Sequence, residues 1–265
     1  MEKTLHFISG LPRSGTTLVS NILNQNHNIH SRVVSPLSSL FATNHAMWDK
    51  IEQNIEYPDY ELKKRYLRSI LDGFYSNVDK PFVFDKDRGW IPQITLLESV
   101  LDRPIKMLVC VRNPAEILSS FEKIRKENPL FHTRIDSNLG ESSSIASRAY
   151  SYAAPEGLMG ISHRNLFDAL LMGYRDRLLF IDYNRFCNTP KSQMKRIYEF
   201  FEIPYFDHDF KNITQEEILN DHAVGLPNLH KLKPSLDRTV TNCVEYLGLD
   251  LYQQYNSNAF WDAFI

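Results

Sequence analysis

The chain has 265 residues, of which 43% are apolar and 23% charged, and its formal net charge is −2. This length and apolar content suffice for one large globular domain, and the near-neutral charge gives no general electrostatic reason to bind nucleic acid or an anionic membrane. The three cysteines show no metal-binding spacing, and neither a leader pattern nor an apolar run of about 18 residues is present. We therefore expect a cytoplasmic protein with no membrane span, in which any anion site is local.

Four short apolar runs, rich in β-branched and aromatic residues, predict buried parallel strands. In chain order they are 5–9, 81–85, 105–111 and 177–182. Helical patterns separate and follow them, at residues 16–26, 36–54, 59–77, 90–102, 114–128, 157–175, 189–202 and 235–247. The alternation predicts an α/β fold with a doubly wound, mainly parallel central sheet flanked by helices, and a ligand site beyond the carboxyl ends of the strands.

Two segments interrupt this alternation. Residues 132–148 are polar and serine-rich, which predicts a mobile loop. Residues 204–234 lack periodicity and contain the basic stretch "GLPNLHKLKPS". No repeat or linker divides the chain, so a single domain over residues 1–265 is expected.

The stretch "GLPRSGTT", residues 10–17, follows the first predicted strand and opens the first predicted helix. Its glycines have the spacing of the phosphate loop G-x-x-x-x-G-K-[ST], in which inward-facing amides and the positive end of the helix hold an anion. The pattern predicts an anion site formed by Pro12, Arg13, Ser14, Gly15, Thr16 and Thr17.

The loop departs from nucleotide triphosphatases at one position. Thr16 stands where those proteins have the lysine that reaches the β- and γ-phosphates. The cation is Arg13, whose planar fork suits a single tetrahedral anion. A magnesium-dependent kinase or nucleotide hydrolase is therefore an alternative that the missing lysine disfavours.

The loop resembles the 5′-phosphosulfate loop of sulfotransferases that use 3′-phosphoadenosine 5′-phosphosulfate (PAPS). A second stretch, "CVRNPAEILSSF", places Arg112 and Ser120 at the spacing with which this family binds the 3′-phosphate of the donor. With "LFIDYNRFCNTPKSQMKRIYEFFEIP", the resemblance covers about residues 4–205. It implies a P-loop-like sulfotransferase fold and transfer of a sulfuryl group from PAPS to a hydroxyl or amine. Adenosine 3′,5′-bisphosphate (PAP) would be released, and no metal would be needed.

The resemblance also suggests catalytic groups. Arg13 would stabilise the bridging or leaving oxygen, and Lys86 occupies the region where the family commonly has a lysine. The histidine that often follows that lysine as general base is replaced by Arg88, and the stretch "SRVVSPLSSL" lacks the glutamate that other members use. A donor-binding protein without catalysis is therefore a second alternative.

Three side chains remain as candidates for the general base. Asp85 is the preferred one because it flanks Lys86 at a predicted strand end, and Asp87 and His30 are the others. Phe41, Trp48, Trp90 and the 132–148 segment are candidates for the acceptor pocket. Lys231 and Lys233 are candidates for the 3′-phosphate. The acceptor itself stays open among small molecules, saccharides and peptides.

Overall fold

The computed structural model describes residues 3–130, 133, 135–136, 140, 143–215, 219–236, 242–257 and 259–265. These residues form a five-stranded sheet in the order β2-β3-β1-β4-β5, and every strand pair is parallel. The strands are β1 (Thr4–Gly10), β2 (Ile29–Ser31), β3 (Phe82–Lys86), β4 (Met107–Val111) and β5 (Leu178–Asp182). The predicted α/β fold with a mainly parallel central sheet is confirmed.

Strand β2 is the one strand that the sequence did not predict. It has only three residues, too few to show an apolar run, and pairs with β3 at Ile29 and Phe82. It belongs to the sheet because its backbone pairs there, and it brings His30 to the edge next to β3.

Helices pack around this sheet. They are α1 (Thr16–Leu23), α2 (Leu37–Trp48), α3 (Glu52–Glu56), α4 (Tyr60–Phe74), α5 (Ile94–Leu101), α6 (Pro114–Glu127), α7 (Ile145–Ala153), α8 (Leu158–Leu171), α9 (Tyr183–Asn188), α10 (Pro190–Phe201), α11 (Cys243–Leu247) and α12 (Leu249–Tyr255). Proline occupies the first turn of α6 and of α10, as predicted, because its missing N–H costs nothing there. The helix predicted at 36–54 is divided into α2 and α3.

Two layers of core cover the two faces of the sheet. Phe7 of β1 joins the cluster that includes Trp90, whereas the next residue, Ile8, joins the cluster that includes Phe201. Consecutive strand residues point to opposite faces, so a strand buried on both sides is mostly apolar. Polar side chains that could bind a ligand are therefore expected mainly at the ends of the strands.

The two irregular segments are described only in part. Within 132–148, residues 132, 134, 137–139 and 141–142 lie outside the described part of the chain. The loop prediction is wrong for residues 145–148, which begin α7, because the Ser144 hydroxyl caps the Ser147 N–H. Within 204–234, the described residues form one short 3₁₀ helix, Asp221–Val224. Of the helix predicted at 235–247, residues 237–241 lie outside the described part, and α11 covers only its end.

Candidate functional site

The loop between β1 and α1 lies at the point where the order of the strands in the sheet reverses. Strands β3 and β2 extend from β1 on one side, and β4 and β5 extend on the other. In open parallel sheets, ligands bind at such a switch point, beyond the carboxyl ends of the strands. The loop after β1 and the turn after β4 therefore face one crevice.

Two glycines allow the loop to fit between its neighbours. Gly10 has a φ of 145°, and a Cβ there would overlap the carbonyl oxygen of Cys110 on β4. Gly15 has a φ of 90°, and a Cβ there would lie 2.7 Å from the Tyr183 ring. A side chain at either position would push the loop off the sheet, so both positions require glycine.

Arg13 stands at the apex of the loop in a left-handed conformation, with a φ of 58°. Its Nε donates to Ser120 Oγ at 3.1 Å, and its Nη1 donates to the carbonyl of Leu229. Arg112 Nη1 in turn donates to the Arg13 carbonyl at 3.2 Å. The structure thus brings together three residues that the sequence predicted to bind the donor. The left-handed conformation of a non-glycine residue is itself typical of functional loops.

Arg112 is held by two elements. Its Nε donates to Glu116 of α6 at 2.8 Å, and its guanidinium carbon lies 4.3 Å from the centre of the Tyr183 ring. Asn184 donates to the same Glu116 carboxylate at 2.9 Å. Helices α6 and α9 therefore fix the orientation of the buried Arg112 side chain. Sequence reasoning missed Tyr183, although its position just after β5 places it at the same sheet edge.

The site concentrates positive charge. Burial and the neighbouring Arg112 lower the pKa of Arg13 to about 10, with Tyr183 and Asp221 acting in the opposite direction. Arg13 stays cationic at neutral pH despite this, so the positive charges of Arg13 and Arg112 act on each other beside the loop that precedes α1. Like charges held together at a helix N-terminus favour a polyanionic ligand.

Lys86 comes from β3, on the other side of the loop. Its Nζ donates to Thr17 Oγ1 at 3.3 Å, next to the first turn of α1. Thr16 begins that helix, and Gly15, its N-cap, provides no side-chain cap. The Ser14 hydroxyl donates instead to the Leu11 carbonyl at 2.6 Å, and Pro12 is buried in the loop. The loop is therefore braced internally, and its helix end needs polar partners from a ligand or water.

A histidine and an aspartate that the sequence did not single out lie beside the same loop. His230 Nδ1 and Asp221 Oδ1 are 2.5 Å apart, and the His230 backbone N–H donates to Asp221 Oδ2 at 2.8 Å. Burial lowers the pKa of His230, and the charges of Lys86 and Arg13 lower it further, whereas Asp221 raises it. His230 lies in the stretch "GLPNLHKLKPS", but no motif links it to Asp221, nine positions earlier in the chain.

Comparison with known proteins places these observations in a family. The model of the family described as "Sulfotransferase domain" matches residues 3–243 of the chain. The chain belongs to the sulfotransferase family. No curated protein matches this sulfotransferase domain by sequence.

Solved sulfotransferase structures share the fold of this domain. The sulfotransferase domain from the curacin biosynthetic pathway is 15% identical, with a TM-score of 0.58 over 98% of this chain and 99% of the other. The corresponding domain of the Synechococcus PCC 7002 olefin synthase is 17% identical, with a TM-score of 0.53 over 97% and 96% of the two chains. A mouse sulfotransferase solved with PAP is 14% identical, with a TM-score of 0.52 over 98% and 88%. At these identities the likeness shows the P-loop-like sulfotransferase fold.

Asp85, the preferred candidate for the general base, lies in the core of the domain. It is fully buried; Trp90 Nε1 donates to its Oδ1 at 2.6 Å, and the Tyr75 hydroxyl donates to its Oδ2. Burial also raises its pKa. Because strand residues alternate, Asp85 and Lys86 project to opposite faces of β3. This geometry favours a structural role for Asp85 over contact with an acceptor.

The other predicted residues are distributed around the crevice and the core. Asp87 Oδ1 accepts from the Gly89 N–H at 2.6 Å and so caps a 3₁₀ helix. The His30 ring packs edge-on against the Tyr75 ring, with centroids 5.7 Å apart. Phe41 and Trp90, predicted for the acceptor pocket, are fully buried in the core. Their rings pack against each other within this core, with centroids 6.0 Å apart.

The described residues also bear on metals and membranes. They include no cluster of three or more His, Cys, Asp or Glu side chains arranged to hold a metal ion. Within the same residues, no helix combines the length and the apolar character required to cross a bilayer.

Proposed function

We propose that this sulfotransferase domain transfers the sulfuryl group of PAPS to a hydroxyl or amine acceptor and releases PAP. The observation that carries the proposal is the meeting of Arg13, Arg112 and Ser120 at the carboxyl ends of β1 and β4. PAPS has two separate anionic groups, the 5′-phosphosulfate and the 3′-phosphate. A braced loop with one arginine, followed by a second arginine with a serine, offers a partner for each.

The roles of the side chains follow from their places. The amides of residues 12–17 and the start of α1 would bind the 5′-phosphosulfate. Arg112 and Ser120 would bind the 3′-phosphate, because α6 and α9 hold them on the β4 side of the crevice. Arg13 and Lys86, on the β1 and β3 sides, would stabilise the charge that develops on the leaving oxygen. Each of these side chains can take its proposed role from the position that it has in the structure.

Two further observations support the choice of donor. The mouse protein of the same fold was solved with PAP, which is the product expected from PAPS. The position that carries a lysine in triphosphatases is Thr16, the first residue of α1, and its side chain is too short to reach between two phosphates. The acceptor is a small molecule, a saccharide or a peptide side chain, and we expect a single cytoplasmic domain.

Calorimetric titration tests the donor site. We expect micromolar binding of PAP by the wild-type domain, a large loss for Arg112→Ala, and no binding of ATP with magnesium. Arg164→Ala is the matched control, because Arg164 is a half-exposed arginine on α8 whose guanidinium lies 3.9 Å from Glu156.

Two outcomes would replace the proposal. Metal-dependent binding of ATP without binding of PAP would establish a kinase or nucleotide hydrolase. Binding of PAP without PAPS turnover against any of a broad set of alcohols, phenols and amines would establish a donor-binding protein without catalysis.

A further inference from the structure

We propose that His230, oriented by Asp221, is the general base that takes the proton from the acceptor in this sulfotransferase. The inference rests on the proposed function and names the group that the motifs failed to supply. The observation behind it is the contact between His230 and Asp221, which lie beside the loop of residues 10–17 but belong to neither of the two sequence motifs proposed to bind the donor. The chain departs from its family at the position of Arg88, so the base must come from another element.

The contact with Asp221 fixes both the position and the tautomer of the ring. One carboxylate oxygen lies 2.5 Å from His230 Nδ1, and the other accepts from the His230 backbone N–H at 2.8 Å. A carboxylate accepts hydrogen bonds only, so Nδ1 carries the proton and the lone pair lies on Nε2. The buried Asp221 is a positioning residue, and the His230 side chain keeps 30% of its surface exposed. Since Nδ1 is covered by Asp221, Nε2 is the ring nitrogen whose lone pair would take the proton of an acceptor.

The pair is adjacent to the residues assigned to sulfuryl transfer. The carbonyl of Leu229, one residue before His230, accepts from Arg13. Lys86 reaches the first turn of α1 from the other side of the loop. The charges that act on the ring are those of Asp221, Lys86 and Arg13, which come from three different segments. The imidazole therefore lies among the cations that would surround the transferred group.

The electrostatics suit a base. Burial and the two cations lower the pKa of His230, so the imidazole is neutral near pH 7 and its Nε2 lone pair is free for a proton. The other carboxylates near Lys86 are less suited, since Asp85 is enclosed in the core and Asp87 caps a helix. Once His230 is protonated, the nearby cations make the imidazolium a stronger acid, which favours release of its proton to water.

In the proposed step, Nε2 takes the proton of the acceptor hydroxyl while that oxygen forms a bond to sulfur. The bond between sulfur and the bridging oxygen of the donor breaks, and its electron pair stays on the phosphate oxygen of PAP. Arg13 and Lys86 stabilise that oxygen, and the imidazolium then loses its proton to solvent.

Nitrogen-15 NMR of the histidine rings tests the arrangement without an acceptor. His230→Gln assigns the His230 signals. We expect the Nδ1–H tautomer in the wild type and a change in the ring signals when PAP is titrated. A protonated Nε2 in the neutral ring, or unchanged His230 signals in a sample that binds PAP, would overturn the proposal.

Kinetics with two phenols gives a second readout. We expect His230→Gln to slow sulfation of 2-naphthol, which is protonated at neutral pH, by about 10²- to 10⁴-fold. p-Nitrophenol is already ionised in substantial part at neutral pH, so its sulfation should slow much less, and PAP affinity should stay almost unchanged. Asp221→Asn should slow 2-naphthol sulfation in the same direction, because an amide that donates to Nδ1 selects the wrong tautomer.

His222→Gln is the matched control, because His222 is an exposed histidine on the same 3₁₀ helix as Asp221. Thermal melts of all variants show whether they are folded. Equal losses for both phenols with weakened PAP binding would make His230 a donor ligand and overturn the assignment. If neither phenol reacts with the wild type, the NMR result decides alone. A wild type that does not bind PAP would remove the proposed function itself, and the base with it.

Discussion

Arg13 Nε donates to Ser120 Oγ at 3.1 Å, although the two residues are 107 positions apart in the chain. The bond joins the loop after β1 to the helix after β4 across the crevice of the sheet. Each residue belongs to a different sequence motif, and neither motif by itself predicts the contact. This hydrogen bond therefore links the two parts of the proposed donor site directly.

This contact makes a prediction for Ser120→Ala. Removal of the hydroxyl takes away one expected partner of the 3′-phosphate and the partner that orients Arg13. A hydrogen bond to a charged group contributes about 1.5–3 kcal/mol, so the Kd of PAP should rise about tenfold or more. Calorimetry measures the Kd of PAP. The neighbouring Ser119→Ala is not a suitable control, because the Ser119 hydroxyl donates to the Ala115 carbonyl inside α6. An unchanged Kd would place the 3′-phosphate elsewhere.

Gly15 makes a prediction about the loop. In Gly15→Ala the new methyl group would meet the Tyr183 ring in a backbone conformation that disfavours a side chain. We expect a lower melting temperature and a weaker PAP interaction, because Tyr183 also packs on Arg112.

Gly73 provides the matched control for this substitution. It lies in α4, and a Cβ there would have nothing within 4 Å. Gly73→Ala should therefore stabilise the protein by about 0.5–1 kcal/mol and leave PAP binding unchanged. Full tolerance of Gly15→Ala in both measurements would contradict the described loop geometry.

Asp85→Asn separates a structural role from a catalytic one. Asp85 accepts from both Tyr75 and Trp90 in the core, and an amide turns one acceptor into a donor that faces another donor. We expect a loss of about 1–3 kcal/mol in the free energy of unfolding, measured by chemical denaturation. The folded protein should keep its PAP affinity and its turnover. Loss of turnover with unchanged stability would return Asp85 to the role of base.

The burial of His6 predicts that the folded protein loses stability in acid. The side chain is buried on β1, neither ring nitrogen has a hydrogen-bond partner within the described structure, and burial lowers its pKa from 6.5 to about 3. The unfolded chain therefore binds a proton between these values that the folded protein does not bind. The contribution of His6 to the free energy of unfolding is fully present above pH 6.5 and is lost as the pH decreases toward 3.

His6→Leu tests this sign. The variant should show a shallower loss of unfolding free energy between pH 6.5 and 4, measured by urea denaturation at each pH. The slope should not vanish, because burial also lowers the pKa of His208 to about 4. An unchanged slope would mean that His6 does not titrate differently in the two states.

The residues that the sequence predicted share one property: their signal is local. The loop at residues 10–17 and the Arg112–Ser120 pair are each contained in one strand–helix unit, and the family match covers both. Strand β2 escaped prediction because three residues cannot show a period. The Asp221–His230 pair escaped because its position is set by tertiary packing of an irregular segment against the loop.

Asp85 shows a different limit of prediction from sequence. Its place beside Lys86 at a strand end correctly brought attention to the carboxyl edge of β3. Two adjacent residues of a strand nevertheless face opposite sides, and only the packing of Tyr75 and Trp90 decides which of them is buried. The residues proposed for the donor side could thus be named from local motifs, whereas those proposed for the acceptor side depend on contacts between distant segments.

The bond from Arg13 to the Leu229 carbonyl has a kinetic consequence. That carbonyl belongs to the peptide bond that joins Leu229 to His230, so a shift of Arg13 toward a bound anion would be passed by the backbone to the imidazole. We therefore expect compulsory order of addition, with the nucleotide first and the acceptor second. In initial-rate experiments, PAP should then compete with PAPS and not with the acceptor.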